Sequence, residues 1–252
     1  MMHLHIRSLR TGAVALCLLL TTSAQALVGE SRDGAELSPH VVMVLSNADG
    51  RAGLCSGVVI APKVVLSAAH CVKSPAQSMV HFRSGERPVL LPVSAIAIHP
   101  EFKANAPKTR ERSVDLALIQ LRDPLPAPFE PAPLDTDGSV TLGTRYVIAG
   151  FGLTVEGGTA SGQLRMGEIS ARAPLSKLLL WAEDPNKRGF GACTGDSGGP
   201  IFAGPLRHIF AITTWTEGTG KSHCGALTQA TLVAPQRSWM EQVLRSWGMS
   251  LR

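Results

Sequence analysis

Strand-sized apolar runs separated by turn residues dominate this 252-residue chain and limit the folds that it can adopt. Short runs rich in Val, Ile and Leu are typical of β-strands. They lie at residues 41–45, 57–60, 64–69, 93–98, 116–121, 146–149, 200–203, 208–215 and 230–233. Because 44% of the residues are hydrophobic and only 17% are charged, a disordered chain is excluded. We therefore predict an all-β fold with many turns.

A proline-rich segment at residues 123–135 divides the chain into two halves. Its five prolines cannot lie in central strands, since proline has no backbone N–H to donate to a neighbouring strand. We predict that this segment is an extended linker on the surface. Each half then contains enough strands for a small barrel or sandwich.

The first 26 residues have the composition of a secretory signal peptide. Arg7 and Arg10 form a basic start, residues 13–20 are an apolar run, and residues 24–26 are a small-residue cleavage site. The alternative is a membrane anchor, but a spanning helix needs about 20 apolar residues. We predict cleavage after Ala26 and export of the mature chain.

The mature chain is mildly basic. The signal peptide takes two of the 24 Lys and Arg residues with it and none of the 19 Asp and Glu residues, so 22 basic residues face 19 acidic ones. An excess this small does not indicate a nucleic-acid partner.

Four cysteines remain when Cys17 leaves with the signal peptide: Cys55, Cys71, Cys193 and Cys224. An even number in an exported chain predicts two disulfides. The count alone leaves the pairing open, and none of the spacings resembles a zinc site.

A helix is predicted at residues 238–248, at the end of the chain. Ser238 and Glu241 have the spacing of a capping box, and Gly248 is a typical stop. The apolar stripe of this helix consists of Trp239, Met240, Val243, Leu244 and Trp247. We expect the stripe to pack against the rest of the protein.

Three short segments combine residues that could carry a reaction. His70 ends an apolar strand, Asp115 begins an alternating strand, and Ser197 lies in a glycine-rich turn. Taken singly, these could be a buried histidine, a strand cap and an ordinary turn residue. Together they suit nucleophilic catalysis, because a serine hydroxyl needs an adjacent base, and that base needs a carboxylate to orient it. Glycines around Ser197 would let backbone N–H groups converge on a developing oxyanion.

The sequence resembles the chymotrypsin/trypsin family of serine endopeptidases. The motifs that carry the resemblance are Ser-Ala-Ala-His-Cys at residues 67–71 and Gly-Asp-Ser-Gly-Gly-Pro at residues 195–200. The order His, Asp, Ser along the chain is also that of chymotrypsin. The resemblance extends from residue 27 to the final helix and therefore covers essentially the whole mature chain. The small number of disulfides and the absence of accessory modules indicate a bacterial secreted enzyme.

This resemblance implies two six-stranded antiparallel barrels packed together, with a C-terminal α-helix. Barrel 1 is expected at about residues 27–122 and barrel 2 at about residues 136–235. It also implies two disulfides, Cys55–Cys71 and Cys193–Cys224.

The roles of the site residues are taken over from the family by motif. His70 is expected to be the general base and acid, Asp115 to orient it, and Ser197 to be the nucleophile. The backbone N–H groups of Gly195 and Ser197 are expected to form the oxyanion hole.

The positions that match the family's specificity pocket depart from trypsin. Six residues before the nucleophile, where trypsin has Asp, this chain has Gly191. Thr216 stands where open pockets have Gly, and Thr228 is expected on the opposite wall. Two threonines over a glycine floor would shorten the pocket, as in elastases. Such a pocket would favour small or medium apolar residues on the acyl side of the cut.

Two alternatives to this function stay open. Lys221 and His223 could attract an acidic residue to the pocket instead. The chain could also be a non-catalytic binding protein on the same fold, although such proteins usually lose a member of the triad and this one has all three.

The segment Leu27-Val28-Gly29 resembles the apolar N-terminus that activation exposes in zymogens of the family. It directly follows the predicted signal cleavage site, so signal peptidase itself would make the activating cut. The new Leu27 ammonium is then expected to pair with Asp196, beside the nucleophile. The alternative is that residues 27–29 are merely a first strand and that the pocket is preformed.

We expect no cofactor and no metal. Residues 80–93 offer only Glu86 as a carboxylate, which is too few ligands for a calcium site of the trypsin type. The expected partners are protein or peptide substrates and protein inhibitors, without nucleic acid and without a membrane after signal cleavage. The mature enzyme is expected to be a monomer that is secreted, either to the periplasm or to the outside.

Overall fold

The computed structural model describes residues 27–251 except positions 49, 110, 160 and 206. The predicted signal peptide and Cys17 lie outside the described residues. Within those limits, none of the helices combines the length and the apolar character that a membrane crossing requires.

Short strands make up most of the regular structure of the described residues. The strands are β1 (Arg32–Asp33), β2 (Val41–Ala48), β3 (Arg51–Ala61), β4 (Val64–Ser67), β5 (Ser78–Ser84), β6 (Arg87–Ile98), β7 (Ala117–Leu121), β8 (Arg145–Gly150), β9 (Arg165–Ala171), β10 (Leu179–Glu183), β11 (Pro200–Ala203), β12 (His208–Glu217) and β13 (Leu227–Leu232). The α-helices are α1 (Ala106–Thr109) and α2 (Arg237–Ser246). Every predicted apolar run lies within or largely within one of these strands.

Barrel 1 is a closed antiparallel ring in the order β2-β3-β4-β7-β6-β5. Its interior contains β-branched side chains from several strands, among them Val44, Val59, Val65 and Ile119. Such residues fit the pleated surface of a strand, and burying them stabilises the ring.

Barrel 2 closes because β8 pairs with both β9 and β11, which gives the ring β8-β9-β10-β13-β12-β11. Two closed six-stranded antiparallel barrels with a C-terminal helix confirm the predicted fold class. Residues 123–135 contain no strand and connect the two barrels, with a single bridge between Leu134 and Ile209.

The first described residues belong to barrel 2, whereas the sequence prediction assigned them to barrel 1. Val28 forms a bridge with Gly191, and β1 pairs with β9. The physical reason is the side chain of Leu27, which is fully buried in the core of barrel 2 with Ile148 and Leu180. The order of segments along the chain does not reveal such a return to the second barrel.

A third core joins the two barrels and the C-terminal helix. It includes Leu66 and Leu118 from barrel 1, Phe202 from barrel 2, and Met240 and Leu244 from α2. The apolar stripe of the helix therefore packs against the barrels as predicted, and its two central residues are fully buried.

The predicted capping box of this helix is wrong. A 3-10 turn at Ala234–Gln236 leads directly into α2, so Gln236 is the N-cap and no side chain caps the helix. Glu241 instead accepts a hydrogen bond from Nε of Arg237 at 2.9 Å. The helix ends at Ser246, and Gly248 follows with a φ of 72°.

Candidate active site

His70 lies in a 3-10 turn, Ala69–Cys71, that follows the end of β4. The Cys55–Cys71 disulfide ties this turn to β3, with an S–S distance of 2.02 Å. The side chain of His70 is 39% exposed, although both neighbours in the turn are buried. The strand and the disulfide thus hold the turn in place, and the imidazole of His70 remains accessible to solvent.

Asp115 precedes β7 and contacts His70 twice. Its Oδ2 lies 2.7 Å from Nδ1 of His70, and its Oδ1 accepts the backbone N–H of His70 at 3.0 Å. Because an ionised carboxylate can only accept hydrogen bonds, the ring proton belongs on Nδ1 and leaves Nε2 free to accept a proton. The Asp115 side chain is only 19% exposed, which strengthens this interaction.

Ser197 lies in a tight turn held between the two barrels. Its carbonyl oxygen accepts the N–H of Ser56 at 2.8 Å, and Gly198 donates to the carbonyl of Thr213 at 2.7 Å. Gly198 has a φ of 81°, and a Cβ there would lie 2.3 Å from the carbonyl oxygen of Ser56. Only glycine fits this position without displacing the backbone.

The structure brings Ser197 and His70 to the same disulfide sulfur. Sγ of Cys71 is 3.6 Å from the Ser197 carbonyl oxygen and 3.7 Å from Nε2 of His70. Within the described part of the chain, no hydrogen bond joins the Ser197 hydroxyl to that nitrogen. In enzymes without substrate such bonds are often long and tighten only when the substrate binds.

The backbone before Ser197 is held in a fixed orientation. Leu153 donates to the carbonyl oxygen of Thr194 at 2.8 Å, and Ser56 Oγ donates to the carbonyl oxygen of Gly195 at 3.0 Å. In a trans peptide the C=O and N–H point in opposite directions, so the Gly195 N–H points away from Leu153. Gly195 has a φ of 98°, which favours glycine at this position.

Asp196 is fully buried behind the nucleophile turn. Its carboxylate accepts the N–H of Gly152 and the N–H of Cys193, both at 2.9 Å. Burial raises the pKa of Asp196 to about 7, although the two backbone hydrogen bonds act in the opposite direction. The charged form of Asp196 is therefore unfavourable in this position unless a cationic group lies beside it.

Comparison with known proteins agrees with this geometry. The family model described as Trypsin matches residues 27–240, which is most of the chain. The chain belongs to the trypsin family. Human granzyme M is 30% identical over 237 residues, covering 83% of this chain and 87% of granzyme M.

Two further proteases match over a smaller share of this chain, and one solved structure matches its fold. Human serine protease 56 is 30% identical over 217 residues, which cover 75% of this chain but only 34% of that protein, so the chain spans about a third of it. Trypsin from Saccharopolyspora erythraea is 26% identical over 66% of this chain and 77% of that protein. The solved structure described as "Structure of GrC" matches 87% of this chain and all of that chain with a TM-score of 0.73. Its 20% identity shows the shared fold alone.

The predicted pocket residues of this trypsin-family chain lie together. Thr216 and Thr228 are cross-strand neighbours on β12 and β13. The hydroxyl of Thr216 donates to the carbonyl of Ala192 at 2.8 Å, and the N–H of Ala192 donates to the hydroxyl of Thr228 at 3.1 Å. Gly191 is buried next to Ala192, and a Cβ on it would be 3.1 Å from the carbonyl oxygen of Gly225.

Both threonine hydroxyls are therefore engaged with the neighbouring segment, and the Cys193–Cys224 disulfide joins the same two regions. These hydrogen bonds fix the two side chains against Ala192.

Glu156 is a residue near the pocket that the sequence did not indicate. Its carboxylate accepts the Ser222 hydroxyl at 2.5 Å and the backbone N–H of His223 at 2.8 Å. The Ser222 hydrogen bond, followed by the His223 N–H, lowers the pKa of Glu156. No motif surrounds Glu156, so only the folded chain reveals this contact.

One further position completes the site. The Thr214 hydroxyl, which stands where the family usually has serine, donates to the carbonyl of Gln229 at 3.3 Å rather than to Asp115.

Three residues beside the triad could be mistaken for a metal site. Donor atoms of Cys55, His70 and Cys71 lie within 4.8 Å of one another. The two sulfurs are bonded to each other, however, and a disulfide is not the thiolate that a metal ion needs.

Proposed function

We propose that this trypsin-family chain is a secreted serine endopeptidase in which Ser197, His70 and Asp115 form the catalytic triad. The observation that carries the proposal is the 2.7 Å contact between Nδ1 of His70 and Oδ2 of Asp115, beside the glycine-rich turn of Ser197. A carboxylate in this position holds the imidazole in the tautomer that can accept a proton at Nε2.

In the first half of the reaction, Oγ of Ser197 attacks the scissile carbonyl carbon while Nε2 of His70 takes the hydroxyl proton. The N–H groups of Gly195 and Ser197 stabilise the oxyanion that forms. The tetrahedral intermediate collapses, the C–N bond breaks, and His70 gives the proton to the leaving amine. An acyl ester remains on Ser197.

In the second half, His70 takes a proton from water, and the hydroxide attacks the ester carbonyl. Collapse releases the new carboxylic acid, and the proton returns to Oγ of Ser197. Asp115 stays ionised throughout and stabilises the imidazolium that forms in each half.

The experiment that tests the triad uses a fluorophosphonate probe, which reacts with activated serines. The mature protein should be labelled, and Ser197→Ala should remove the label. Ser84, which is exposed on β5, offers the matched control, so Ser84→Ala should leave labelling intact. Native protein that resists the probe while a trypsin control reacts would favour a non-catalytic binding protein on the same fold.

We also propose a preference for small or medium apolar residues on the acyl side of the cut. Support comes from the glycine at position 191 and from the two threonines held by Ala192. A substrate guanidinium would be desolvated there without a carboxylate partner. The preference for acidic residues is the less favoured alternative, because the Glu156 carboxylate accepts the backbone N–H of His223 and places a negative charge beside it.

Cleavage of a peptide library by the purified protein tests the preference. Dominant cleavage after Arg would contradict the proposal, whereas dominant cleavage after Glu would favour the alternative.

Export and activation form the last part of the proposal. Signal peptidase would cut after Ala26 and free the Leu27 ammonium to pair with Asp196. Support comes from the buried Leu27 side chain and from the buried carboxylate of Asp196. N-terminal sequencing of the exported protein should begin at Leu27, and a start further along the chain would contradict this route.

A further inference from the structure

A cleft of about 300 Å³ lies between the two barrels, away from the triad. Its walls include apolar side chains from both barrels and the linker: Val41, Met43, Phe82, Phe129, Phe151 and Leu164. The rings of Phe82 and Phe129 meet edge to face at 4.8 Å. None of the proposed triad or specificity-pocket residues lines this cleft.

Three charged side chains also line the cleft: Asp33, Arg83 and Arg165. Among the described ion pairs none includes any of the three. Asp33 accepts the N–H of Ala35 at 2.8 Å, and Arg83 donates to the carbonyl of Glu86 at 2.9 Å. The cleft therefore has two cationic groups and one anionic group on an apolar base.

Arg165 lines this cleft and has one hydrogen-bond donor without a partner among the described residues. Its Nη2 donates to the carbonyl of Ser31 at 2.7 Å, which fixes the guanidinium in place. Its Nε is buried and, within the described residues, has no acceptor. A buried donor without an acceptor is unfavourable, and a carboxylate is the acceptor whose geometry best matches a guanidinium.

We propose that this inter-barrel cleft binds a small amphipathic carboxylate, with its apolar body against the phenylalanine side chains and its carboxylate at Arg165. Binding sites for small molecules are typically clefts of about 300 Å³ or more, lined by apolar and aromatic side chains with a few polar groups. This cleft has both the volume and the combination of aromatic and charged side chains that such sites need. The site is separate from the proposed peptidase chemistry and does not depend on it.

The position of Phe151 restricts the choice of test variants. Its backbone N–H donates to Oγ of Ser56 at 2.9 Å, and the same oxygen donates to the carbonyl of Gly195. Phe151 therefore belongs to the framework of the active site and is left unchanged. Arg165 and the exposed Ala35 at the mouth of the cleft are altered instead.

The test is calorimetric titration of the purified protein with 2-naphthoate and with 2-naphthalenemethanol, which has the same rings without the charge. We expect 2-naphthoate to bind about tenfold more tightly than the alcohol, because only its charged carboxylate forms a charge-assisted hydrogen bond with the guanidinium. Arg165→Met should remove this difference, and Ala35→Trp should weaken both ligands by filling the mouth. Arg87→Gln, an exposed arginine outside the cleft, should change neither affinity.

Three results would overturn the proposal: no binding of 2-naphthoate at millimolar concentration, equal affinity for the two ligands, or undiminished 2-naphthoate binding in both Arg165→Met and Ala35→Trp. If Arg165→Met does not fold, Arg83→Gln takes its place, since it removes the second cationic group from the rim. Unchanged preference for 2-naphthoate in Arg83→Gln, together with undiminished binding of both ligands in Ala35→Trp, would then contradict the site.

Discussion

The backbone N–H of Gly152 donates to Oδ1 of Asp196 at 2.9 Å, and a Cβ atom on Gly152 would lie 2.6 Å from Oδ2 of the same carboxylate. It would also lie 2.7 Å from the backbone nitrogen of Asp196. Since Asp196 is fully buried and adjoins the nucleophile, neither group can move aside without disturbing the turn of Ser197. Glycine at position 152 is therefore a requirement of the site.

The variant Gly152→Ala tests this close approach. We expect a loss of about 1–3 kcal/mol of unfolding free energy from overpacking, together with a large loss of kcat/KM on peptide substrates. The control is Gly85→Ala, where a Cβ would meet nothing within 4 Å although φ is 61°. This control should lose some stability through its backbone conformation but keep its kcat/KM. Full turnover in Gly152→Ala would show that the turn tolerates the displacement.

The second prediction concerns the pH dependence of Asp196 when a residue precedes Leu27. Burial raises the pKa of its carboxyl to about 7 from an ordinary value of 3.8. Between these values the folded state holds a proton that the unfolded state has lost. The contribution to stability is therefore complete below the unfolded pKa and disappears as the pH rises through about 7.

An Ala-extended variant, with one residue before Leu27, should show this behaviour in denaturant unfolding at pH 5, 6, 7 and 8. Its unfolding free energy should fall across the series, and Asp196→Asn in the same background should flatten the profile. The mature chain should fall less, because its Leu27 ammonium compensates the charge. Breaking that buried pair from one side is expected to be unfavourable by about 3–5 kcal/mol. Activity should fall steeply in the Ala-extended variant, and undiminished turnover would show that the ammonium is not the switch.

The sequence predicted most of the apolar strands, although it missed β10, Leu179–Glu183. It also missed strands whose apolar residues are interrupted by polar ones. In β9, Arg165–Ala171, exposed or half-buried polar residues separate buried ones, and in β5, Ser78–Ser84, buried positions alternate with exposed or half-buried ones up to Arg83. Such strands have no continuous apolar run to mark them. Residues 27–33 were placed in the wrong barrel because strand pairing depends on contacts between segments that are distant along the chain.

The sequence likewise indicated some residues of the candidate site and missed others. His70, Asp115 and Ser197 could be proposed from the sequence because each lies in a short motif that suits a chemical role. Ser56 was not, although its hydroxyl connects Phe151 with the carbonyl of Gly195, a residue 139 positions away. A single serine or glutamate without a motif has no local pattern that indicates such a contact.

The third prediction concerns the size of the specificity pocket. Thr216→Gly should raise kcat/KM for Leu and Phe substrates relative to Ala substrates, since it removes the side chain that is proposed to narrow the pocket. A change of about tenfold or more is expected, because one methylene in an apolar pocket alters discrimination by roughly 10–200-fold. Thr216→Val is the matched control, since it keeps a branched side chain of similar size, loses only the hydroxyl that donates to Ala192, and should keep the original order of preference. If the glycine variant keeps the original order of preference, Thr216 does not limit the pocket.

The last prediction assigns Glu156 as a positioning residue for the pocket wall at residues 217–224. Its carboxylate holds the Ser222 hydroxyl and the His223 N–H, next to the Cys193–Cys224 disulfide. Glu156→Gln keeps the size of the side chain but removes the charge that strengthens both hydrogen bonds. The wall should become less ordered, and KM should rise several-fold while kcat changes little.

The pH profile separates this positioning role from a general loss of stability. The two hydrogen bonds lower the pKa of Glu156, so the wild-type carboxylate should hold the wall until the pH falls below the ordinary range of a glutamate. KM in the wild type should then rise only at low pH, whereas KM in Glu156→Gln should be high throughout. Glu86→Gln is the matched control, because Glu86 is exposed in the turn between β5 and β6, outside the pocket wall, and has no ion pair within the described residues. Equal KM values in wild type and Glu156→Gln at neutral pH would show that the wall is held by the disulfide alone.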